Sequence, residues 1–305
     1  MKPNTLAILL AGITVLSWST VATAFKISLR YLTYFEMLLV ASCTALLFFA
    51  AVLTFQRKWK LVVSLPARQW GYFALLGLLN PVIYYLVLFK AYDLLPAQAA
   101  QPINYAWPIV LLFMLALFDR QPIPFRKYIG MFISLGGVVL ISVGTGPSTG
   151  IHTPLSGLLL AGLSAFLWGG YWMLNNRTKD KTDGTVALFA GFLFGSLYLL
   201  AGAAVTGVQL RTLTGILSGM YVGAFEMGIP FLCFGLALRK TSNPTLINQL
   251  CFLSPFLSLF FISMILGETV IPTTYIGLVL IVAGIMFNQS VKTSNEPSKN
   301  APISD

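Results

Sequence analysis

Charged side chains are scarce in this chain of 305 residues. Asp, Glu, Lys and Arg make up 9% of it, whereas a typical soluble domain contains about 25%. Apolar residue types make up 57% of the chain. This composition excludes an ordinary soluble globular domain. The net charge of +10 is explained by lysines and arginines in the loops of a membrane protein, which are enriched on the cytoplasmic side. It does not require a nucleic-acid-binding surface, so we expect no nucleic-acid partner.

Residues that hold metals or form disulfides are also few. Cysteine occurs three times, as Cys43, Cys233 and Cys251, each inside an apolar run and at unrelated spacings. Cysteines in this setting are typical of a core, not of a disulfide framework or a metal site. The chain contains no Walker A motif and no cluster of metal ligands. We therefore expect no cofactor, no metal and no ATP-driven pumping.

One catalytic motif is present in an unsuitable context. Residues 146–150 read GPSTG, which fits the G-x-S-x-G pattern of a nucleophilic serine, and His152, the single histidine, follows. That pattern requires a strand–turn–helix elbow. Here it lies in a Gly- and Pro-rich segment between apolar runs, so we expect no catalytic residue and no enzyme.

The chain has instead a series of long apolar runs. Several reach 18 or more residues with few charges, the length that crosses about 30 Å of hydrocarbon as a helix. The sequence therefore predicts an all-α integral membrane protein with ten transmembrane helices, not a β-barrel of alternating ten-residue segments. The predicted spans cover residues 5–25, 34–55, 69–89, 97–118, 126–144, 155–175, 185–206, 214–238, 245–266 and 272–289.

The basic residues are distributed unevenly between the two sides of the predicted membrane. Of the 19 lysines and arginines, all but Lys26, Arg30, Lys90 and Arg211 fall on the side of the N-terminus, here called side A. The opposite side is called side B. Cytoplasmic loops are enriched in Lys and Arg, so side A is predicted to be cytoplasmic. We expect a multi-pass protein of the cell inner (plasma) membrane, with both termini and a disordered tail (291–305) in the cytoplasm.

The two halves of the chain repeat residues in the same order, at offsets of 147 to 150 positions. The matched pairs are Trp18 and Trp168, Pro81 and Pro230, Pro108 and Pro255, Tyr128 and Tyr275, and Gly137 and Gly284. Five spans per half is an odd number, so the second half enters the membrane from the opposite side. The sequence thus predicts two inverted five-helix repeats, residues 1–146 and 147–290. Such repeats are typical of secondary transporters, whose substrate site lies between the halves.

Paired segments carry a resemblance to a known family. They are LSWSTVATAFK (16–26) and AFLWGGYWMLNNR (165–177), then YAWPIVLLFMLALFDRQ (105–121) and FLSPFLSLFFISMILGE (252–268), and then YIGMFISLGGVVL and YIGLVLIVAGIMF. With them the chain resembles the EamA family of the drug/metabolite transporter superfamily over nearly its whole length. The resemblance implies a ten-helix secondary transporter that exports small molecules by alternating access.

NYAWP and LSWST are most similar to the aromatic amino acid exporters of that family, which implies export of amino acids, including aromatic ones. Two positions depart from the family pattern. Glu36-Met37 stands where the second span often begins with Arg, and Asp119 replaces the usual Glu of the first half.

Polar and aromatic residues interrupt the fourth span at NYAWP. Side chains such as Asn104 and Tyr105 avoid lipid and face a protein interior or a wet cavity. Pro108 has no N–H, so the carbonyl group of Asn104 loses its helical donor and can line a substrate site. With Trp107, these residues predict an aromatic cavity that also carries amide groups. Such a cavity suits a zwitterion with a flat side chain.

The second half offers equivalent candidates. Trp168 and Tyr171 in the sixth span would supply rings, and Asn248 and Gln249 form the polar pair before Pro255. Core packing or an interfacial belt is the alternative for the rings.

Three ionisable residues complete the predicted site. Lys26 and Lys90, near the side B ends of spans one and three, are candidates to meet a substrate carboxylate, with snorkelling to the interface as the alternative. Glu226 lies at the centre of span eight, where a carboxylate costs free energy unless a proton or a cation neutralises it. We expect it to carry a proton or bind a cation, with a structural hydrogen-bonding role as the alternative.

The predicted partners are therefore a small-molecule substrate and the lipid bilayer, with proton coupling as a hypothesis. Three other functions stay open from the sequence. An exporter of cationic drugs would use Glu226 as its cation site. A channel-like facilitator would lack saturable counterflow. An intramembrane enzyme would depend on Ser148 or His152.

Overall fold

The computed structural model describes residues 3–118, 124–144, 153–176 and 182–291. Helices account for nearly all of them, and no strand occurs in these ranges. The predicted boundary between the halves, Asp119, the GPSTG segment, His152 and residues 292–305 lie outside the described ranges. The first half here means the described residues up to 144, and the second half those from 153 onward.

The helices form ten apolar segments, each long enough to cross a membrane, within the described part of the chain. The ten predicted spans are thus confirmed, with ends that differ by a few residues. The helices are α1 (Pro3–Ser28), α2 (Tyr34–Phe55), α3 (Trp59–Val63), α4 (Ala67–Gly77), α5 (Tyr84–Leu94), α6 (Ala97–Asn104), α7 (Trp107–Phe118), α8 (Phe125–Gly144), α9 (Leu155–Asn176), α10 (Gly184–Thr206), α11 (Leu213–Val222), α12 (Ile229–Lys240), α13 (Pro244–Leu250), α14 (Leu253–Phe261) and α15 (Pro272–Ser290).

Four spans are interrupted, at corresponding places in the two halves. A π-helical segment, Leu78–Ile83, joins α4 to α5 in the third span, and another, Gly223–Gly228, joins α11 to α12 in the eighth. The fourth span turns at residues 105–106, between α6 and α7, and the ninth at residues 251–252, between α13 and α14. A proline lies in or just after each interruption, where its missing N–H and its ring disrupt the helical hydrogen bonds.

Glycines bring the fifth and tenth spans into backbone contact. A Cβ atom added at Gly130 would lie 2.5 Å from the carbonyl oxygen of Gly284, and one at Gly137 would lie 2.4 Å from that of Gly277. Close approach through small residues stabilises helix pairs in membranes. The two pairs run in opposite directions along the helices, so α8 and α15 are antiparallel. The repeat matches Gly130 with Gly277 and Gly137 with Gly284, so exchanging the halves converts one contact into the other.

The halves are interleaved rather than stacked end to end. Helix α1 packs against α11, α12 and α14 of the second half, and α9 packs against α5, α6 and α7 of the first. The first span of each half therefore lies against the third and fourth spans of the other. Because of this packing, the interrupted segments lie near the middle of the bundle.

Polar contacts also join the halves on side A. Asn4 Nδ2 donates to Ser242 Oγ at 3.0 Å, and Lys58 Nζ lies 2.8 Å from Asp183 Oδ2. Burial works to raise the pKa of Asp183, but the hydrogen bonds from Lys58 and from the backbone amides of Thr185 and Val186 hold that pKa below its usual value. The Lys58–Asp183 pair is therefore an ion pair at neutral pH.

Candidate functional site

A cavity of about 360 Å³ lies between the halves and is bordered by all four interrupted spans. This volume falls in the range of small-molecule sites, about 300–1,000 Å³. Its lining includes Lys127 and Gln289, near the side A ends of α8 and α15, and Trp18 and Glu226 in the middle of their spans. The lining also reaches Phe25 and Tyr92, near the side B ends of α1 and α5, but both are buried, whereas Gln289 is exposed, so the cavity opens toward side A.

The aromatic wall is centred on Trp168. Its ring stacks on Tyr84 with centroids 4.7 Å apart and meets Trp107 and Trp172 edge-on, at 6.5 and 6.0 Å. Trp172 in turn stacks on Trp107 at 6.4 Å. The rings come from α5, α7 and α9, so both halves contribute. An apolar or flat group in the cavity would lie against several ring faces and edges.

The amide wall lies at the turn in the fourth span. Asn104 borders the cavity, donates from Nδ2 to Ser164 Oγ at 2.8 Å and accepts from the Tyr84 hydroxyl at 3.5 Å. Tyr105 also borders it, and its hydroxyl lies 3.1 Å from Ser254 Oγ in the ninth span. Asn248 is on the facing wall. The two interrupted spans therefore meet across the cavity.

Glu226 is the carboxylate of this site. Its side chain borders the cavity, and the residue is 9% exposed. The Tyr85 hydroxyl donates to Oε1 at 3.0 Å, and Trp18 Nε1 donates to the backbone carbonyl of the same residue at 3.2 Å. Within the described ranges Glu226 forms no ion pair with Lys or Arg. Its charge must therefore be met by a proton, by a ligand or by hydrogen bonding alone.

Of the residues predicted from sequence, the structure brings Asn104, Tyr105, Trp107, Trp168, Asn248 and Glu226 together around one cavity. The other four lie outside its lining. Tyr171 stacks behind Trp168 with centroids 5.5 Å apart, because it lies about one helical turn further along α9. Gln249, beside Asn248 on α13, is not part of the wall either.

Both predicted lysines make contacts within the first half. Lys26 Nζ donates to the carbonyl oxygens of Tyr92 and Leu95, at 2.9 and 3.1 Å, where α5 ends. Lys90 Nζ pairs with Asp93 at 2.7 Å and lies 5.1 Å from the Tyr34 ring centroid. A lysine near a helix C-terminus satisfies carbonyl groups that lack helical donors. These contacts explain both lysines without a substrate.

Sequence reasoning missed several lining residues, among them Tyr84, Tyr92, Gln101, Lys127 and Asn288. Gln101 and Asn288 carry a signal that could have found them, because each is a polar amide inside a predicted span. The sequence places Lys127 among the basic residues of side A but gives no sign that it borders a cavity. The two tyrosines belong to an apolar run, and nothing in their local sequence separates them from core residues.

Four buried polar atoms of residues that border the cavity have no hydrogen-bond partner among the described residues. They are Gln101 Oε1, Trp172 Nε1, and Nδ2 and Oδ1 of Asn288. Buried polar atoms are nearly always paired, so such exceptions need an explanation. No group of three or more His, Cys, Asp or Glu suited to a metal occurs within the described ranges.

Comparison with known proteins identifies the chain. The model of the EamA-like transporter family matches it twice, at residues 5–143 and 155–289. The chain belongs to this family. It is accordingly a membrane transporter and not an enzyme, and its partners are a small-molecule substrate and the lipid bilayer.

Two relatives of this EamA-like transporter cover most of its length. An uncharacterized transporter of Clostridium kluyveri is 27% identical over 79% of each chain. The uncharacterized transporter YvbV of Bacillus subtilis is 24% identical over 99% of this chain and 96% of its own. A crystal structure with 19% sequence identity superimposes with a TM-score of 0.66, covering 92% of this chain and 95% of the other, which shows a shared fold.

Proposed function

We propose that this EamA-like transporter exports small amphipathic metabolites, with amino acids, aromatic ones among them, as the substrate class. The observation that supports this most directly is the combination of one buried carboxylate with an aromatic wall in a single cavity. Glu226 would meet the ammonium group, and the ring cluster around Trp168 would hold an apolar or aromatic side chain. The amide groups of Asn104 and Asn248 would face the substrate's carboxylate.

The proposed mechanism is alternating access between two inverted repeats. The antiparallel α8–α15 contact and the exchanged packing of first spans support halves related by a two-fold axis in the membrane plane. Two similar halves can exchange conformations and so change which side of the cavity is open. Small relative motions of the halves would then move substrate across the membrane.

Cationic compounds without a carboxylate are the second candidate class. Glu226 has no basic partner among the described ion pairs, and aromatic rings attract cations at close range. An exporter of such cations would use the same carboxylate and the same rings. It would not need the amide wall.

The test is uptake of labelled compounds into proteoliposomes, with and without a pH gradient. The panel contains phenylalanine, tryptophan, alanine, N-acetylphenylalanine and a quaternary ammonium dye. We expect saturable uptake and counterflow of the free amino acids but not of the N-acetylated one, which lacks the ammonium group. Uptake of the dye alone would favour the cationic class, and uptake without saturable counterflow would contradict alternating access.

We further propose that side A faces the cytoplasm in the cell inner membrane. A fluorescent reporter fused after residue 290 should then be bright, and a phosphatase fused there inactive, because the phosphatase needs the oxidising exterior to fold. A matched fusion in the loop around residue 210, on side B, should give the opposite pair of signals. Active phosphatase after residue 290 would reverse the orientation.

A further inference from the structure

Where the second and first halves meet on side B, Glu268 serves as the missing N-cap of α6. Its Oε1 accepts a hydrogen bond from the amide of Ala97 at 3.1 Å, and its Oε2 accepts one from the amide of Gln98 at 3.3 Å. The first amides of a helix have no partner inside it, and the N-cap residue of α6, Pro96, makes no side-chain cap. A carboxylate is well suited to this position because helix N-termini favour negative charge.

Gln98 makes the reciprocal contact. Its Nε2 donates to the carbonyl oxygen of Thr269 at 3.0 Å, and its Oε1 accepts from the amide of Ile271 at 3.2 Å and from Thr274 Oγ1 at 3.3 Å. Gln98 is only 2% exposed, so water does not replace these partners in the present conformation. Five hydrogen bonds thus cross from one half to the other at a single place.

We infer that Gln98 and Glu268 form a latch between the halves, which holds the cavity closed on side B; this inference rests on the proposed alternating access. All five hydrogen bonds join different halves, so separating the halves on side B breaks them together. One further hydrogen bond joins the halves on this side, from the amide of Gln209 to Glu36 Oε1 at 3.2 Å, and it is exposed to solvent. The contacts of Lys26 and Lys90 stay within the first half and can survive the same motion.

Helix α6 connects the latch to the cavity. Gln98 lies at its first turn, and Gln101 and Asn104, which border the cavity, follow at intervals of three residues. Residues at this spacing share a face of a helix. The helix ends at the turn of residues 105–106, so it is a short unit between the latch and the interrupted span. Displacing α6 to open side B would therefore also shift the cavity wall.

Cys251 provides a native reporter for the test, because it borders the cavity. In a Cys43→Ser, Cys233→Ser background, a membrane-impermeant methanethiosulfonate reagent is added from one side in intact cells and from the other in inverted vesicles. The parent protein should label mainly from side A. Glu268→Ala and Gln98→Leu should each raise the labelling rate from side B by about tenfold or more, which corresponds to ~1.4 kcal/mol.

Asp93→Asn is the matched control. It removes another carboxylate from side B, and with it the ion pair inside the first half. Its labelling from side B should equal that of the parent. An unchanged rate in both latch variants, or an equal increase in Asp93→Asn, would overturn the latch. If Glu268→Ala does not elute as a single species in detergent, Gln98→Leu, which keeps the side-chain volume, decides the question.

Labelling requires no substrate, so this result is independent of the proposed substrate class. Opening of side B in the latch variants without transport of any amine would support the latch and contradict the substrate proposal. Amine transport with unchanged labelling in the latch variants would support the substrate proposal and contradict the latch.

Discussion

Glu226→Gln should abolish accumulation of substrate driven by a pH gradient, while counterflow of labelled for unlabelled substrate persists with a weaker apparent affinity, because the glutamine oxygen can still accept a hydrogen bond from the ammonium group. A buried carboxylate without a basic partner can exchange a proton for a cationic substrate during each cycle, whereas the amide cannot bind or release a proton. We expect gradient-driven accumulation to fall at least about tenfold, a change of ~1.4 kcal/mol or more. The measurement is uptake of labelled phenylalanine into proteoliposomes with an imposed pH gradient and, separately, with preloaded substrate.

Tyr85→Phe is the control for Glu226→Gln. It removes the hydroxyl that donates to Glu226 but leaves the carboxylate in place. Accumulation should therefore remain coupled to the gradient in this variant, even if its rate changes. Gradient-driven accumulation that is unaffected in Glu226→Gln would assign Glu226 a structural role and remove the coupling hypothesis.

Trp107→Ala should weaken binding of aromatic substrates more than binding of small ones. Its ring borders the cavity and meets Trp168 and Trp172, so a substrate ring bound there loses a stacking partner when the indole is removed. One aromatic contact contributes about 0.5–1.5 kcal/mol beyond buried area, which corresponds to ~3- to 10-fold in affinity. Competition binding with phenylalanine and with alanine measures the difference, and Trp107→Phe should be mild.

Trp168→Ala should show the same selectivity with a larger loss of stability. Its ring is enclosed by Tyr84, Tyr171 and Phe231, so truncation also leaves a void in the packing. Trp70→Ala is the matched control, since Trp70 packs on Phe194 away from the cavity. Equal losses for aromatic and small substrates in Trp107→Ala and Trp168→Ala would mean that these rings serve packing alone.

Asn104→Ala, in contrast, should weaken all amino acids alike, because its amide faces groups that they share. Asn104 also donates a hydrogen bond to Ser164 of the other half, and Asn104→Ala removes this bond as well. The variant should therefore be compared with Ser164→Ala, which removes the same hydrogen bond and leaves the amide in the cavity. A uniform loss in Asn104→Ala that is absent in Ser164→Ala would support substrate contact.

The ten spans and the interruption of the fourth at NYAWP could be predicted because each depends on residues close together in sequence. A run of about 20 apolar residues must cross the bilayer as a helix, since no other open segment satisfies its backbone in lipid. A proline interrupts such a helix wherever it stands, because it lacks the N–H and crowds the preceding turn. The repeat of Pro81 and Pro108 as Pro230 and Pro255 accounts for the matching positions at which the structure interrupts both halves.

Which polar side chains share the cavity depends on how the helices of the two halves pack. Lys26, Lys90 and Lys127 carry the same charge near span ends, yet of the three only Lys127, on side A, borders the cavity. Lys26 and Lys90, on side B, contact carbonyl and carboxylate groups of their own half. Gln98 and Glu268 are 170 positions apart in the sequence, and only the fold shows that they are hydrogen-bonded to each other. Contacts of this kind depend on how the two halves pack, which no local pattern records.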